Sequence, residues 1–275
     1  MVIRALLIAA CACSGGTANK PHIVEDARGS AVAPTVVAAP LPAPSPVTGS
    51  YRVEVGAFAK GDAQLRVEWK DTPTAARASA GRTKCNTAKV PAVAPTTTWG
   101  IPDVLVMIDV DHGKAFAPIE QARIVIARCE LAPHVLVLPP KTVLIVASAA
   151  ELPQRLGYST LALARALALP PAQVPKAAID KPILLPVVGH EVALTLDPVA
   201  ITAIKADEDL AIVVTPNQPY YGITEANGQI VLRDVPVGTY SVMALLPARG
   251  GQDARIAHGT VTVAEGGLAE VTLAL

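Results

Sequence analysis

The chain has 275 residues, a formal net charge of zero and only 3% aromatic residues, although 51% of it is hydrophobic. This length suffices for one or two domains with their own cores. Zero net charge gives no support for binding to nucleic acid or to an acidic membrane surface. The 25 prolines and 19 glycines argue against a helical bundle and are typical of a β protein with many turns.

The first residues are organised like an export signal. Arg4 supplies a positive charge, an apolar stretch follows, and residues 8–11 (IAAC) resemble the lipobox of bacterial lipoproteins. This predicts a signal peptide and lipobox over residues 1–13, with Cys11 as the acylated residue. A simple secretory peptide cleaved nearby, with Cys11 and Cys13 incidental, is the alternative. No later apolar run is long enough to predict a membrane span.

Residues 14–50 are rich in Ala, Pro and Val. This composition favours extended conformers and cannot form a core. We expect a disordered tether that raises the folded part above the membrane. A leader without any spacing role is the alternative.

From residue 51 onward, short apolar or alternating segments predict β-strands. Turn residues separate them at roughly ten-residue intervals, which is typical of an all-β, Greek-key β-sandwich. Residues 161–169 (LALARALAL) fit neither period and predict a strand or one short helix. The other predicted strands outside residues 219–244 are 51–55, 64–69, 101–110, 122–127, 134–138, 142–147, 183–188, 191–196, 210–215, 257–263 and 268–275.

The strongest local signals lie in residues 219–240, PYYGITEANGQIVLRDVPVGTY. Asn227-Gly228 favours a tight hairpin turn because both residues tolerate positive φ. Residues 229–233 have the period-2 pattern of a half-buried strand. A second turn is predicted at residues 234–238, which contain Pro and Gly. The stretch therefore predicts an antiparallel β-meander.

Three stretches resemble bacterial periplasmic proteins that join two kinds of β-sandwich. One kind is cupredoxin-like, of the plastocyanin or methylamine-utilisation type, and the other is carboxypeptidase-regulatory-like, or prealbumin-like. The stretches are residues 129–140 (CELAPHVLVLPP), residues 167–182 (with LALPPAQV and IDKP) and residues 219–240. The resemblance implies a cupredoxin-like sandwich over residues 51–215, with a carboxypeptidase-regulatory-like β-meander packed on it over residues 216–275.

The chain departs from this family where copper-binding members have their ligands. The expected ligand positions are occupied by Pro153, Ala203, Ala206 and Asp209. A blue-copper site needs imidazole and thiolate ligands, which none of these side chains offers. The resemblance therefore implies a scaffold whose copper ligands have been lost.

Few other residues suggest chemistry. His134 begins a predicted strand, and we expect it to be packed in the fold rather than to bind metal. His190 could be a ligand of a displaced metal site, and Asp109, Asp111 and His112 (D-x-D-H) could bind a cation in a turn. No zinc-protease, serine-hydrolase or phosphate-loop motif is present. We expect no catalytic, cofactor-binding or metal-binding residue.

Two cysteines lie in the predicted folded part, Cys85 and Cys129. Exported proteins reside where disulfides persist. The resembling family carries a cysteine at each of these places, which implies a structural disulfide between them. Two separate buried thiols are the alternative.

Together these patterns favour a non-enzymatic lipoprotein on the periplasmic face of the cell envelope, anchored in the outer membrane. It would act without cofactor as a binding or structural module, touching the membrane only through its lipid anchor. Its partner would be an unidentified envelope protein or glycan, and not nucleic acid. One alternative is a copper-binding or electron-transfer protein with relocated ligands. Another, from fold analogy, is a carbohydrate-binding-like module that uses aromatic side chains; the candidates are Trp69, Trp99, Tyr158, Tyr220 and Tyr221.

Overall fold

The computed structural model describes residues 50–70, 98–168, 181–207, 209–248 and 253–275. Within these ranges the regular secondary structure consists of β-strands and one short helix, which confirms the predicted all-β class. The strands form several sheets, as expected for a β-sandwich.

The strands before the helix are β1 (Arg52–Val53), β2 (Lys60–Glu68), β3 (Leu105–Ile108), β4 (His112–Gly113), β5 (Gln121–Ala127), β6 (Glu130–Ala132), β7 (Val135–Val137), β8 (Val143–Ser148) and β9 (Gln154–Ala162). Helix α1 (Leu163–Ala168) continues directly from β9. The strands after it are β10 (Lys181–Leu185), β11 (Glu191–Thr195), β12 (Ala200–Ala206), β13 (Asp209–Thr215), β14 (Tyr221–Ile223), β15 (Gln229–Pro236), β16 (Gly238–Leu246), β17 (Arg255–Val263) and β18 (Leu268–Ala274).

Two sheets combine strands from both ends of the described chain, and we call them together the split sandwich. One sheet has the order β14-β3-β16-β17 and the other has the order β15-β2-β18. Strict alternation in β2 places Ala63, Leu65 and Val67 in the core between these sheets, each without exposed surface. Strands β1 and β4 form a separate parallel pair.

Two further sheets are built only from residues 121–215, and we call them the continuous sandwich. Their orders are β10-β9-β12-β13-β7 and β11-β8-β5-β6. A second apolar core, which includes Ile124, Leu144, Leu156 and Ile204, lies between them. The core residues alternate with more exposed ones along β5 and β10, the pattern of strands buried on one face.

A third apolar cluster joins the two sandwiches. It contains Leu105 and Met107 of β3 together with Ile201 of β12 and Ile212 of β13. The neighbouring residues of β3, among them Val106, belong to the split-sandwich core. Because β3 contacts a different core on each face, all four of its residues are buried. This explains why its sequence is continuously apolar instead of alternating.

The strand pairing cuts across the expected division at residue 215. Strand β2, expected in a module that ends at that residue, is hydrogen-bonded between β15 and β18. Likewise β3 pairs with β14 and β16. Local sequence patterns do not specify a strand's partner, so they gave no indication that residues 121–215 interrupt one sandwich.

The predicted meander in residues 219–240 is wrong, although its first turn is present. Gly228 has φ 76°, and its N–H donates to the Glu225 carbonyl over 2.8 Å. However, β14 pairs with β3 and β15 pairs with β2, so the two strands lie in opposite sheets. The turn predicted at residues 234–238 is also wrong, because β15 continues to Pro236 with a bulge after Leu232. The chain passes to β16, in the other sheet, after Val237.

Other sequence predictions need adjustment. Strands β9 and β12 were not predicted, and Ala203 and Ala206 of β12 were interpreted only as expected ligand positions. The ambiguous residues 161–169 contain the end of β9 and helix α1. The long strand predicted over residues 101–110 is limited to β3, and the strand predicted over residues 51–55 is limited to β1.

Candidate functional site

The four positions where the resemblance places copper ligands do not converge. Pro153 is exposed just before β9, Ala203 and Ala206 are buried on β12, and Asp209 begins β13. Ala203 packs between the two sandwiches, whereas Ala206 packs inside the continuous sandwich. Their side chains therefore lie on opposite faces of one strand. Among the described residues, no group of three or more His, Cys, Asp and Glu side chains is spaced to hold a metal ion.

The structure joins one pair of residues that sequence analysis did not connect. Nε2 of His134 lies 3.1 Å from Oδ2 of Asp209, and the backbone N–H of Leu131 donates to the same oxygen over 2.6 Å. The Asp209 side chain is only 4% exposed. Because a carboxylate can only accept, Nε2 of His134 carries the proton in this bond. The Asp209 carboxylate, at the start of β13, is thus hydrogen-bonded to β6 and to the segment that joins β6 to β7.

A small pocket beside His134 lies where the two sandwiches meet, with room for about one water molecule. Its lining residues offer no hydroxyl, thiol or amine side chain that the His134–Asp209 pair could activate as a base. The pair is therefore best explained as a structural fastening. The pocket is lined by Asp103, His134, Val135, Leu210, Leu246, Pro247 and Ala248.

The D-x-D-H turn that could bind a cation is occupied by contacts within the protein. Nδ1 of His112 lies 2.6 Å from Oδ1 of Asp111, and the Arg52 guanidinium lies 3.9 Å from the other oxygen of that carboxylate. The hydrogen bond from His112 lowers the pKa of Asp111. Nε2 of His112 also lies 3.9 Å from Glu54. A cation would have to compete with His112 and Arg52 for the Asp111 carboxylate.

The aromatic residues considered for carbohydrate stacking do not form one platform. Tyr220 and Trp69 are 1% and 5% exposed, and the Arg255 guanidinium covers the Trp69 ring at 4.9 Å. Trp99 is exposed near one end of the split sandwich, whereas Tyr158 belongs to β9 of the continuous sandwich. Stacking on sugars needs exposed faces arranged side by side, which these rings do not present.

Tyr220 instead belongs to a network of polar contacts at one end of the split sandwich. Its hydroxyl accepts a 3.0 Å hydrogen bond from the backbone N–H of Lys114, whose carbonyl accepts a 2.6 Å bond from the Tyr51 hydroxyl. The Lys114 ammonium donates to the Arg233 carbonyl over 2.5 Å and lies 5.1 Å from the centroid of the Tyr220 ring. Burial raises the pKa of both tyrosines and lowers the pKa of Lys114. The aromatic motif is thus explained by its place in the fold.

Of the cysteines considered, only Cys129 lies among the described residues. It is disulfide-bonded and has a positive φ of 66° directly before β6. The predicted partner, Cys85, and the predicted lipidation site, Cys11, lie outside the described residues. The pairing of Cys85 with Cys129 and the acylation of Cys11 therefore stay predictions.

The clearest candidate for a binding surface lies at one end of the ladder between β9 and β10. Leu152, Leu184, Val187 and Val188 are between 57% and 64% exposed. Leu185, the last residue of β10, pairs with Gln154, the first residue of β9, so Leu152 and the two valines extend from the same end of the ladder. The other exposed aliphatic side chains of the described residues are distributed over several elements. Clustered apolar exposure of this kind marks interaction sites more often than isolated exposed residues do.

Two cations lie on the same face as Leu184. Leu184 is directly opposite Arg155 on β9, and Gly157, two residues further along β9, is opposite both Pro182 and Lys205. Cross-strand partners share a face, and so do residues two apart along a strand. We call the set Leu152, Arg155, Leu184, Val187, Val188 and Lys205 the β10 surface. This surface was not predicted, because the continuously apolar residues 183–188 have the pattern of a buried strand.

Comparison with protein-family models, with curated proteins and with solved structures finds no match to this chain. In the part of the chain that the structure describes, the one helix is too short to cross a membrane.

Proposed function

We propose that this chain is a non-enzymatic, exported lipoprotein that acts as a binding or structural module in the cell envelope. The observation that carries the binding role is the β10 surface, where four aliphatic side chains are exposed at one end of the continuous sandwich. Burying such side chains against a partner would contribute about 25 cal/mol for each Å² of apolar area removed from water. In this proposal the partner is an envelope protein, and the sandwiches hold the binding surface rigid.

The proposed location rests on the N-terminal residues. The lipobox-like residues 8–11 would lead to acylation of Cys11, and residues 14–50 would span the distance to the folded part. One acyl chain holds a protein only marginally, whereas the several chains of a mature lipoprotein hold it firmly. The periplasmic face of the outer membrane is the proposed site.

The finer fold assignment belongs to the same proposal. We propose a Greek-key, cupredoxin-like sandwich joined to a carboxypeptidase-regulatory-like, prealbumin-like sandwich. Its support is the resemblance of three sequence stretches, together with an arrangement of two packed sandwiches. In this proposal the cupredoxin-like part carries no copper and transfers no electrons, since Pro153, Ala203 and Ala206 cannot act as ligands.

Two measurements test the anchoring and the binding separately. Cys11→Ser should move the protein from the membrane fraction to the soluble fraction of the envelope. A photo-reactive amino acid at position 184 should capture a specific envelope protein, whereas the same group at position 231, another exposed aliphatic site, should not. Unchanged fractionation of Cys11→Ser would contradict lipid anchoring, and equal capture from both positions would contradict binding through the β10 surface.

The absence of a redox role is tested with copper itself. A blue-copper centre has an intense visible band from its thiolate–copper bond. Cys129, being disulfide-bonded, offers no thiolate. The purified protein should stay colourless after addition of Cu(II). An intense visible band with one tightly held copper would refute the proposal.

A further inference from the structure

The β10 surface combines exposed aliphatic side chains with two cations that have no carboxylate partner among the described residues. In the described ranges, Arg155 and Lys205 form no ion pair, whereas Lys60, Arg66 and Arg123 each do. Arg155 and Lys205 are diagonal neighbours across the β9–β12 ladder, since Lys205 is opposite Gly157. Diagonal neighbours in a sheet are roughly 7–8 Å apart. Two adjacent positive charges therefore border the apolar residue Leu184.

This arrangement defines the chemistry of a matching partner. Neighbouring like charges disfavour one another, and an anionic group between them relieves that repulsion. The adjoining aliphatic side chains favour apolar groups on the same partner. A peptide in which a carboxylate is flanked by aliphatic side chains supplies both the negative charge and the apolar groups. Two acidic residues of the described chain are close to these cations in sequence: Glu151 adjoins Leu152 before β9, and Asp207 follows β12 two residues after Lys205.

The edge of the sheet restricts how such a partner can dock. Pro182 has no backbone N–H, and an edge strand that contains proline is a poor template for an added strand. Lys181 beside it is a further feature that discourages strand addition. The inward-facing residues Ile183 and Leu185 are buried, which leaves only the outward side chains for contact. The partner therefore binds to side chains on the face rather than extending the sheet.

Charge also argues against a second copy of the chain as the partner. A symmetric pair would place the same patch on both subunits. Arg155 and Lys205 of one copy would then approach the cations of the other copy, which is unfavourable.

We infer that the β10 surface binds an acidic and apolar peptide segment of another protein. Aliphatic side chains of this segment cover Leu184, Val187 and Val188, and its carboxylates pair with Arg155 and Lys205. The inference rests on the proposed binding function and specifies the class of partner.

The probe is a fluorescently labelled extended peptide in which Leu and Asp alternate, added to the full chain carrying Cys11→Ser. Two comparison peptides replace Asp by Lys or Leu by Ser. We expect the Leu/Asp peptide to bind and both comparison peptides to bind at least about tenfold more weakly. The double variant Arg155→Glu/Lys205→Glu and the variant Leu184→Asp should each weaken binding by a similar factor. The matched controls Lys141→Glu and Val231→Asp, both at exposed sites, should leave it unchanged.

Four results would overturn the inference. One is binding that is absent or insensitive to the β10-surface variants. A second is co-sedimentation with phosphatidylglycerol vesicles that Arg155→Glu/Lys205→Glu abolishes, which would identify a lipid surface instead. A third is a dimer that Leu184→Asp dissociates, which would identify a second copy. The fourth is photo-capture of an envelope protein through position 184 that an excess of the Leu/Asp peptide, added before irradiation, does not prevent. This result would refute the inference but not the proposed function.

Discussion

Gly228 should be far less replaceable than Gly266, although both are turn glycines with positive φ. The two angles are 76° and 64°. A Cβ atom on Gly228 would lie 2.5 Å from Cα of Gly100, 2.6 Å from N of Ile101 and 2.6 Å from the carbonyl oxygen of Val67. All three are backbone atoms, so they can move only if β2 or the chain before β3 moves. A Cβ atom on Gly266 would meet nothing within 4 Å.

Both alanine substitutions place an alanine in the left-handed conformation, but only the one at Gly228 also brings a Cβ atom too close to neighbouring atoms. The left-handed conformation costs an alanine about 1–2 kcal/mol at either position. Overpacking against fixed atoms adds about 1–3 kcal/mol at Gly228 alone. We therefore expect the free energy of unfolding to fall by about 2–5 kcal/mol for Gly228→Ala and by about 1–2 kcal/mol for Gly266→Ala.

Urea unfolding followed by circular dichroism and tryptophan fluorescence measures both changes. Asparagine separates the two costs, because it tolerates the left-handed region but still carries a Cβ atom. Gly266→Asn should be nearly neutral, whereas Gly228→Asn should remain strongly destabilising. If the Gly228 and Gly266 variants lose equal stability, the Asn-Gly turn is not packed against the neighbouring backbone and the reasoning is refuted.

Three further predictions concern charge, pH and the disulfide. Asp209→Ala should lower the free energy of unfolding by about 3 kcal/mol, because the buried N–H of Leu131 and the partly buried His134 lose a charged acceptor, while the exposed Glu270→Ala should change it by less than about 0.5 kcal/mol; equal effects in urea unfolding would contradict the structural role of Asp209. Burial raises the pKa of Tyr221, so the unfolded chain loses this proton near pH 10 before the folded state does. Stability should then fall above about pH 10 by at most about 1.4 kcal/mol per pH unit, less steeply in Tyr221→Phe, and parallel pH profiles would refute this. Joining Cys85 to Cys129 closes a loop of about 45 residues and should stabilise by about 4 kcal/mol in the loop-entropy model; two free thiols titrated in the unreduced, unfolded protein would show that the pairing is wrong.

Several elements were predictable because their signal is local. Residues 122–127, 210–215, 257–263 and 268–275 were predicted as strands, and each contains or overlaps an observed strand. The Asn-Gly turn was also predicted correctly, since positive φ is a property of the residue itself. Strand β12 was missed because residues 203–206 were interpreted, from the family resemblance, as positions of lost copper ligands.

The candidate site was much less predictable. His134 and Asp209 are 75 residues apart, and only the parallel pairing of β7 with β13 brings them together. The exposure of Leu184 depends on the outer face of β10 being left uncovered by the other described residues. A sequence does not show which face of a strand is covered by another layer, so a buried and an exposed leucine have the same local pattern.

By itself the sequence determined the all-β class and the position of many strands, because alternation and turn chemistry act within a few residues. Tertiary structure alone decided which strands pair, and therefore that residues 121–215 interrupt one sandwich and that β14 and β15 occupy opposite sheets. The physical reason is that a backbone N–H or C=O is satisfied equally well by any strand that fits. The choice among partners is made by packing of side chains far apart in the chain, as β3 shows by contacting two different cores.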